Sequence, residues 1–156
     1  MDASPSSDCL IRPAAPADET RVWALLRQFA TTYAPSEPAY AASYAKLLTE
    51  PDAMFLVAVS GGEVVGYLLG FELPTLFANG PILQLTELVV DEHRRGAGLG
   101  RKLVEDALVR AWDRGCMEVV VATRRAAPFY ERLGFARSAE YLKLRRGSEN
   151  DEDASS

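Results

Sequence analysis

The sequence has 156 residues, is 48% hydrophobic and 25% charged, and carries a formal net charge of −5, which is typical of one soluble globular domain. The longest apolar run, residues 54–59, is too short to span a bilayer, and two distant cysteines and one histidine argue against a disulfide framework or a metal site. Four acidic residues lie in the last ten positions; without them the charge would be −1, which argues against a nucleic-acid-binding protein.

The N-terminal third of the chain predicts one short strand and two helices. Residues 1–8 are small and polar, and we expect them to be flexible. Residues 9–12 form a strand candidate that Pro13 ends, and Asp18 can cap the first helix. The apolar face of that helix is formed by residues three or four positions apart: Val22, Leu25, Leu26 and Phe29. Ser36 can cap a second helix, whose apolar face is formed by Tyr40, Tyr44, Leu47 and Leu48.

The middle of the chain predicts a β-hairpin. Residues 54–60 form an apolar strand, and residues 63–72 return after Gly61-Gly62, a turn in which both positions can adopt positive φ. Gly66 and Gly70 inside the returning strand indicate a bulge or a close approach of another backbone. Residues 73–80 contain proline, asparagine and glycine and predict a loop.

Beyond this loop a strand, a long helix and another strand are predicted. Residues 82–90 form a central strand, and residues 98–114 follow with helical spacing. The apolar side of this helix is formed by Leu99, Leu103, Val104, Ala107, Leu108 and Ala111. Residues 117–122 are almost continuously apolar, which predicts a strand covered on both faces.

The C-terminal part predicts a short helix at residues 126–133, ended by Gly134, and two further strands at residues 135–137 and 141–146. The acidic residues 147–156 predict a disordered tail. The order of the elements predicts an α/β (α+β) domain with helices on both faces of a mixed sheet.

A glycine-rich turn joins the central strand to the long helix and predicts an anion site. Such a turn directs backbone N–H groups and the positive end of a helix dipole toward one point, where a phosphate is the expected ligand. The turn is not a nucleoside triphosphate loop, because Gly100 is followed by Arg101-Lys102 rather than by Lys-Ser/Thr. It also departs from the dinucleotide fingerprint, whose third glycine would stand at Arg101.

Three segments, in this order along the chain, carry a resemblance to a known family. The hairpin at residues 57–67, the segment Arg95-x-x-Gly98-x-Gly100 and the segment at residues 127–135 resemble the strand pair, the acyl-CoA-binding motif and the C-terminal signature of the GNAT superfamily. The resemblance implies one GNAT acetyltransferase domain at residues 9–146. Its fold would be a mixed, mostly antiparallel sheet with helices on both faces and a splayed strand pair that holds CoA.

The resemblance also implies the cosubstrate and the residues that bind it. The cosubstrate would be acetyl-CoA, and no metal is expected. The residues implied to bind its pyrophosphate are Arg95, Gly96, Ala97, Gly98, Leu99, Gly100 and Arg101. The pantetheine arm would pair with Leu88, Val89 and Val90, and the N–H of Val89 or Val90 could hold the thioester oxygen. Thr123 stands near the place of an asparagine that binds the pantetheine amide in many members, while Arg124 or Arg125 could reach the phosphates.

The implied reaction is direct attack on the thioester by a primary amine, which belongs to a small molecule or to a protein. Glu87 interrupts an apolar strand and is the candidate general base; the alternative is that Glu87 only binds the amine and a water takes the proton. Tyr130 is the candidate general acid toward the departing thiolate. The acceptor is expected between the two N-terminal helices and the loop at residues 73–80, where Glu72 could meet a cation. The aromatic and acidic residues available there are Tyr33, Tyr40, Tyr44, Phe71, Glu72 and Phe77.

Other interpretations of the chain stay open at this point. The same fold could serve as a non-catalytic acyl-CoA-binding or regulatory module, which would need neither Glu87 nor Tyr130. A nucleic-acid or membrane partner is not expected, and the chain lacks a signal-peptide pattern, so a cytoplasmic location is expected. The oligomeric state is open, with a homodimer as one alternative.

Overall fold

A computed structural model describes residues 9–29 and 34–147 of the chain. The contacts within it divide the chain into two compact units, the first ending at Val121 and the second beginning at Ala122. The predicted flexible segment at residues 1–8 and residues 148–156 of the predicted acidic tail lie outside the described residues. No helix in the described part of the chain is long and apolar enough to cross a membrane.

The first unit is built on one five-stranded sheet whose strands are ordered in space as they are in sequence. The strands are β1 (Leu10–Pro13), β2 (Ala53–Ser60), β3 (Glu63–Leu73), β4 (Ile82–Val90) and β5 (Glu118–Val121). The first four pair antiparallel, and β5 pairs parallel to β4. The prediction of a mixed, mostly antiparallel sheet is therefore confirmed.

Helices cover both faces of this sheet, as predicted. They are α1 (Glu19–Phe29), α2 (Glu37–Thr49) and α3 (Leu99–Asp113). Val22 and Tyr44, from α1 and α2, are buried in one core cluster with Val57 and Tyr67 of the sheet. Leu103 of α3 lies against the opposite face, where a Cβ added at Gly66 would meet its Cδ1 at 3.3 Å. The helices α1 and α2 thus pack on one face of the sheet, and α3 packs on the other. The face on which a strand residue's side chain lies therefore decides which helices it contacts.

The helix starts show one correct and one wrong prediction. Ser36 caps α2, and its hydroxyl oxygen accepts a hydrogen bond from the N–H of Ala39 at 3.4 Å. Asp18 does not cap α1; it ends a short 3-10 helix, Pro16–Asp18. Its carboxylate accepts hydrogen bonds from Arg12 at 2.7 and 2.9 Å and from the N–H of Ala15 at 2.8 Å, so it closes the turn before the helix.

The glycines of β3 confirm the predicted close approach of backbones. A Cβ at Gly66 would lie 3.0 Å from the carbonyl oxygen of Val89, and one at Gly70 would lie 3.0 Å from that of Gln84. Ordinary Cβ contacts are longer, so β4 can pack this closely only against glycine. Two other predictions are wrong. Phe29, predicted on the apolar face of the first helix, is the last residue of α1 and is half exposed. The strand predicted at residues 117–122 was expected to be covered on both faces, but β5 is half-buried or exposed.

The second unit contains the helix α4, Ala127–Arg132, close to the predicted position, and Gly134 follows with a φ of +100°. The strands predicted at residues 135–137 and 141–146 are wrong, because neither segment is part of a sheet ladder in the described chain. Leu142 and Leu144 are largely exposed, so the apolar residues that suggested the second strand are not buried in a core.

Candidate active site

A β-bulge at Thr86 sets the direction of Glu87. The register of β3 and β4 runs from Gly70↔Leu85 directly to Leu69↔Glu87, so Thr86 is an extra residue without a partner in β3. Leu85 packs beside Gly70 on the face of α3. Because strand side chains alternate between faces, the extra residue places Glu87 on the opposite face, toward α1 and α2.

On that face Glu87 contacts a tyrosine that the sequence analysis did not single out. The hydroxyl of Tyr67 donates a hydrogen bond to Oε1 of Glu87 at 2.9 Å. Burial, followed by the negative charge of Glu87, raises the pKa of Tyr67 far above its usual range, so the phenol stays protonated. The signal in the sequence was weak: Tyr67 lies on the returning hairpin strand, but only the bulged register brings it beside Glu87.

A cleft of about 260 Å³ lies on the same face, between the sheet and the two N-terminal helices. Its walls include Tyr40, Tyr44, Leu47, Phe55 and Tyr67. Glu87 is the one charged side chain among the described residues that line it. A half-buried carboxylate therefore lies in largely apolar surroundings, which include four aromatic rings.

The strand that carries Glu87 has an unpaired edge beyond Leu85. β5 pairs with β4 only from Ile82↔Glu118 to Leu85↔Val121, so residues 87–90 pair with β3 alone among the described strands. The backbone N–H of Asp91 donates to the carbonyl of Val65 at 2.8 Å, so the backbone N–H and C=O groups of Asp91 are directed toward β3. The direction of the backbone N–H and C=O groups alternates from residue to residue along an antiparallel strand. Those of Val89 are therefore also directed toward β3, whereas those of Leu88 and Val90 are directed to the unpaired edge.

The turn after β4 is anchored by Asp91. Its carboxylate accepts a hydrogen bond from the N–H of His93 at 3.1 Å and forms an ion pair with Arg21 at 2.6 Å. The hydrogen bond from His93 and the charge of Arg21 lower the pKa of Asp91, so the carboxylate is ionised at neutral pH. Arg21 also donates to the carbonyl of Val64 at 2.9 Å, which ties the turn to α1 and β3.

Two glycines give the turn its shape. Gly96 and Gly98 have φ values of +86° and +76°, in the left-handed region that favours glycine. α3 begins directly afterwards, and its first intrahelical bond runs from the N–H of Lys102 to the carbonyl of Gly98 at 3.1 Å. The N–H groups of Leu99, Gly100 and Arg101 precede this bond, so they have no intrahelical acceptor and can bind an anion.

The arginines around this turn differ in how far they are already engaged. Arg101 pairs with Glu105 one turn along α3 at 2.6 Å, and Arg94 lies 4.0 Å from Glu63. Arg95 is exposed and forms no ion pair with any described residue. Of the three arginines in this turn, Arg95 is thus the one whose charge no described carboxylate offsets. Ala97, between the two glycines, is exposed.

Two predicted site residues belong to the second unit. Thr123 accepts a hydrogen bond from the N–H of Ala126 at 3.0 Å and so stabilises the turn that leads into α4. Tyr130 is buried between Phe129 and Phe135, with ring centroids at 5.0 and 5.4 Å. Burial raises the pKa of Tyr130, so the phenol is protonated at neutral pH.

The residues suggested for the acceptor are only partly gathered at the cleft. Tyr40 and Tyr44 line it, whereas Tyr33 lies outside the described residues. Glu72 forms an ion pair with Arg114 at 2.8 Å, so its charge is already offset, and Phe77 is largely exposed on its loop. The carboxylate that faces the cleft is Glu87.

The chain matches the profile of the Acetyltransferase (GNAT) family over residues 20–135. This match covers well over half of the sequence and includes the bulged strand, the glycine turn and the start of the second unit. The chain belongs to the GNAT family of acetyltransferases. The resemblance drawn from the three sequence motifs is thereby confirmed.

Curated relatives of this GNAT protein are named as N-acetyltransferases. An N-alpha-acetyltransferase of Sulfurisphaera tokodaii is 33% identical over 121 residues, which are 69% of each chain. A glucosamine 6-phosphate N-acetyltransferase of Trypanosoma brucei brucei is 36% identical over 61 residues, which are 38% of this chain and 42% of that protein. The chain spans 41–45% of the length of this and six other curated relatives.

Solved structures show the same fold. An acetyltransferase from Trypanosoma brucei matches with a TM-score of 0.77 and 26% identity, over 88% of this chain and 99% of that one. An aminoglycoside N-acetyltransferase solved in complex with CoA matches with a TM-score of 0.74 over 90% of this chain and 95% of that one. At 16% identity, the second comparison shows the fold alone.

Proposed function

We propose that this protein is an acetyl-CoA-dependent N-acetyltransferase that moves an acetyl group to a primary amine by direct attack on the thioester. The observation that carries the proposal is the position of Glu87. Its carboxylate lies at the cleft that is lined by Tyr40, Tyr44, Phe55 and Tyr67. On the same strand, Leu88 and Val90 direct unpaired backbone N–H and C=O groups to the edge of the sheet. GNAT membership and the N-acetyltransferase names of the relatives support acetyl transfer to an amine.

The glycine turn fits the pyrophosphate of CoA. The N–H groups of Leu99, Gly100 and Arg101 point out of the start of α3, and the helix dipole adds to their attraction for an anion. Gly96 and Gly98 leave the turn open, because no atom lies within 4 Å of a Cβ built at either position. Arg95 contributes a charge that no described carboxylate offsets.

The unpaired edge of β4 fits the pantetheine arm, whose amides can pair with a strand. Leu88 and Val90 would supply the backbone groups, since those of Val89 point toward Tyr67 in β3. Acetyl-CoA supplies an activated acyl group whose carbonyl oxygen gains negative charge during attack. The N–H of Val90 is the donor that can stabilise this charge.

Glu87 acts on the acceptor. An alkylamine with a pKa of ~10.4 must lose a proton before it attacks, which costs roughly 4–5 kcal/mol near pH 7. A carboxylate can take this proton directly or through one water. Tyr67 donates to Oε1 of Glu87, and Oε2 has no hydrogen-bond partner among the described residues, so we assign the amine to Oε2.

Tyr130 would supply the proton that the departing thiolate needs. A thiolate of pKa ~8.5 is a stronger base than water, and a phenol is protonated at neutral pH. Burial raises the pKa of Tyr130, which keeps its proton in place until the thiolate forms. Thr123 remains a proposed ligand of the pantetheine amide.

The test combines two measurements on the whole chain: release of free CoA thiol from acetyl-CoA with a panel of primary amines, and calorimetric titration with CoA. Glu87→Gln should bind CoA as the wild type does, and its kcat should fall about 100-fold, because general base catalysis is removed while the amide oxygen can still accept from Tyr67. Glu118→Gln, an exposed position on β5, is the matched control and should leave kcat unchanged.

The outcomes separate the two candidate functions. Thiol release that depends on both acetyl-CoA and an amine supports the enzyme. CoA binding without release for any amine would instead support a non-catalytic acyl-CoA-binding module. An unchanged kcat in Glu87→Gln would remove the base role from that residue and leave it, at most, a role in binding the amine.

A further inference from the structure

The aromatic side chains of the cleft form one continuous wall that ends beside Glu87. Ring centroids are separated by 5.7 Å from Tyr40 to Tyr44, by 5.4 Å from Tyr44 to Phe55 and by 6.0 Å from Phe55 to Tyr67. Tyr67 then donates its hydrogen bond to Glu87. The wall therefore runs from helix α2, across the sheet, to the cleft's carboxylate.

The tyrosine hydroxyls in this wall are already used by the fold. Tyr40 donates to the carbonyl of Glu19 at 2.5 Å, and Tyr44 donates to the carbonyl of Ala15 at 2.6 Å. With the hydroxyl of Tyr67 bound to Glu87, none of the three has a proton left to donate to a ligand, although each oxygen can still accept a hydrogen bond. The ring faces are apolar surface on which an aliphatic or aromatic group packs.

Charge in the cleft is equally restricted. Glu87 is the one charged residue among the described lining residues, and Glu72, the other candidate, is paired with Arg114. One carboxylate can compensate one ammonium group. A polyamine or an aminoglycoside would bring further ammonium groups onto an apolar wall, where an unpaired charge is costly.

We infer that the acceptor is a small primary amine with a single positive charge on an aliphatic or aromatic body. This inference rests on the proposed function, because it assigns Glu87 to the acceptor amine. The volume of about 260 Å³ lies below the ~300–1,000 Å³ common for ligand pockets, which also favours a small molecule. The ammonium group would lie at Oε2 of Glu87, and the body would lie along Tyr40, Tyr44 and Phe55.

The test compares three amines by thiol release: 2-phenylethylamine, spermidine and kanamycin. We expect kcat/KM for 2-phenylethylamine to exceed the values for both polycations by at least about 10-fold. Binding of each amine is measured separately by calorimetry, so that recognition is tested even where turnover is absent. Glu87→Gln should weaken binding of 2-phenylethylamine, since its ammonium group loses the carboxylate.

A second variant tests the charge argument with little risk to folding. Ser43 is exposed at the cleft lining, so Ser43→Asp adds a second carboxylate there. It should raise kcat/KM for spermidine relative to 2-phenylethylamine by about 2–5-fold, because a second ammonium group gains a partner at an exposed position. Ala45→Asp places the same charge on an exposed position of α2 outside the cleft lining, and it should leave this ratio unchanged.

Each result decides between the inference and the proposed function. Faster turnover of spermidine or kanamycin would overturn the monoamine inference and leave the N-acetyltransferase in place. If 2-phenylethylamine binds in a Glu87-dependent way but no amine causes thiol release, the proposed function is overturned. The inference that the cleft binds a small monoamine would then still stand. Failure of 2-phenylethylamine to bind would overturn the inference.

Discussion

The hydroxyl of Tyr67 lies 2.9 Å from Oε1 of Glu87 and donates a hydrogen bond to it. Burial keeps this phenol protonated, so it serves as a fixed donor. The bond fixes the orientation of the Glu87 carboxylate and leaves Oε2 without a hydrogen-bond partner among the described residues. We therefore expect Tyr67 to act as a positioning residue for the proposed base.

Tyr67→Phe tests this role. Removal of the hydroxyl should lower kcat about 10-fold and leave the affinity for CoA unchanged, because the Glu87 carboxylate loses the donor that orients it. Thiol-release rates and calorimetric titration with CoA check the two halves of this prediction.

Tyr44→Phe is the matched control for that experiment. It removes a hydroxyl that is bound to the carbonyl of Ala15, away from Glu87. It should lower stability while kcat stays at the wild-type value. A kcat that falls equally in both variants, or in neither, would contradict the positioning role of Tyr67.

Tyr130→Phe should lower kcat about 100-fold and leave the affinity for CoA unchanged, because the variant keeps the buried ring between Phe129 and Phe135 but has no proton to donate. Thiol release and calorimetry with CoA check the two halves of this prediction. Tyr141→Phe, which changes an exposed tyrosine of the same unit, provides the control. Wild-type turnover in Tyr130→Phe would exclude the acid role.

Gly98→Ala should destabilise the protein by about 1–2 kcal/mol and weaken CoA binding. The φ of +76° is unfavourable for alanine, and the strain falls where α3 begins. Gly61→Ala is a matched control, since Gly61 has a φ of +59° in the hairpin turn and, like Gly98, no atom within 4 Å of an added Cβ. Chemical denaturation should show similar losses for both variants, whereas calorimetry should show weaker CoA binding only for Gly98→Ala.

Asp91→Asn should destabilise the protein at pH 7, and the difference from the wild type should shrink as the pH falls below about 4. The folded-state pKa of Asp91 lies below its usual 3.8, chiefly through the hydrogen bond from His93 and then through Arg21. A depressed pKa contributes stability above the unfolded-state value, and this stability is lost as the pH falls through the folded-state value. Urea denaturation at pH 7, 5 and 3 checks this; a constant difference would contradict the role of the ionised form.

Hydrophobic patterns predicted the elements whose partners are close in sequence. Residues 82–90 were predicted as a strand and form β4 with the same bounds, and the turn at Gly61-Gly62 has the positive φ values that a two-residue hairpin needs. Ser36 was recognisable as a helix cap because capping depends on the next three residues alone. In these cases local chemistry decides the structure.

The errors occur where a partner outside the element itself decides. Asp18 fits a cap by its position, but Arg12, across the turn from β1, binds its carboxylate. Residues 141–146 have a strand's composition, yet a strand also needs a neighbour to pair with, and composition says nothing of one. The role of Tyr67 was hidden for the same reason, since its contact with Glu87 depends on how β3 and β4 are aligned.

The bulge at Thr86 has a consequence for how this protein tolerates change in its sequence. The Thr86 side chain is exposed, and its hydroxyl donates only to the carbonyl of Leu69, so many residue types should be acceptable there. Deletion of Thr86 should instead be destabilising, because one residue fewer would return Glu87 to the face of α3 and bury its carboxylate there without a partner. At this position the length of the strand matters more than the identity of the residue, and a scan of substitutions alone would miss it.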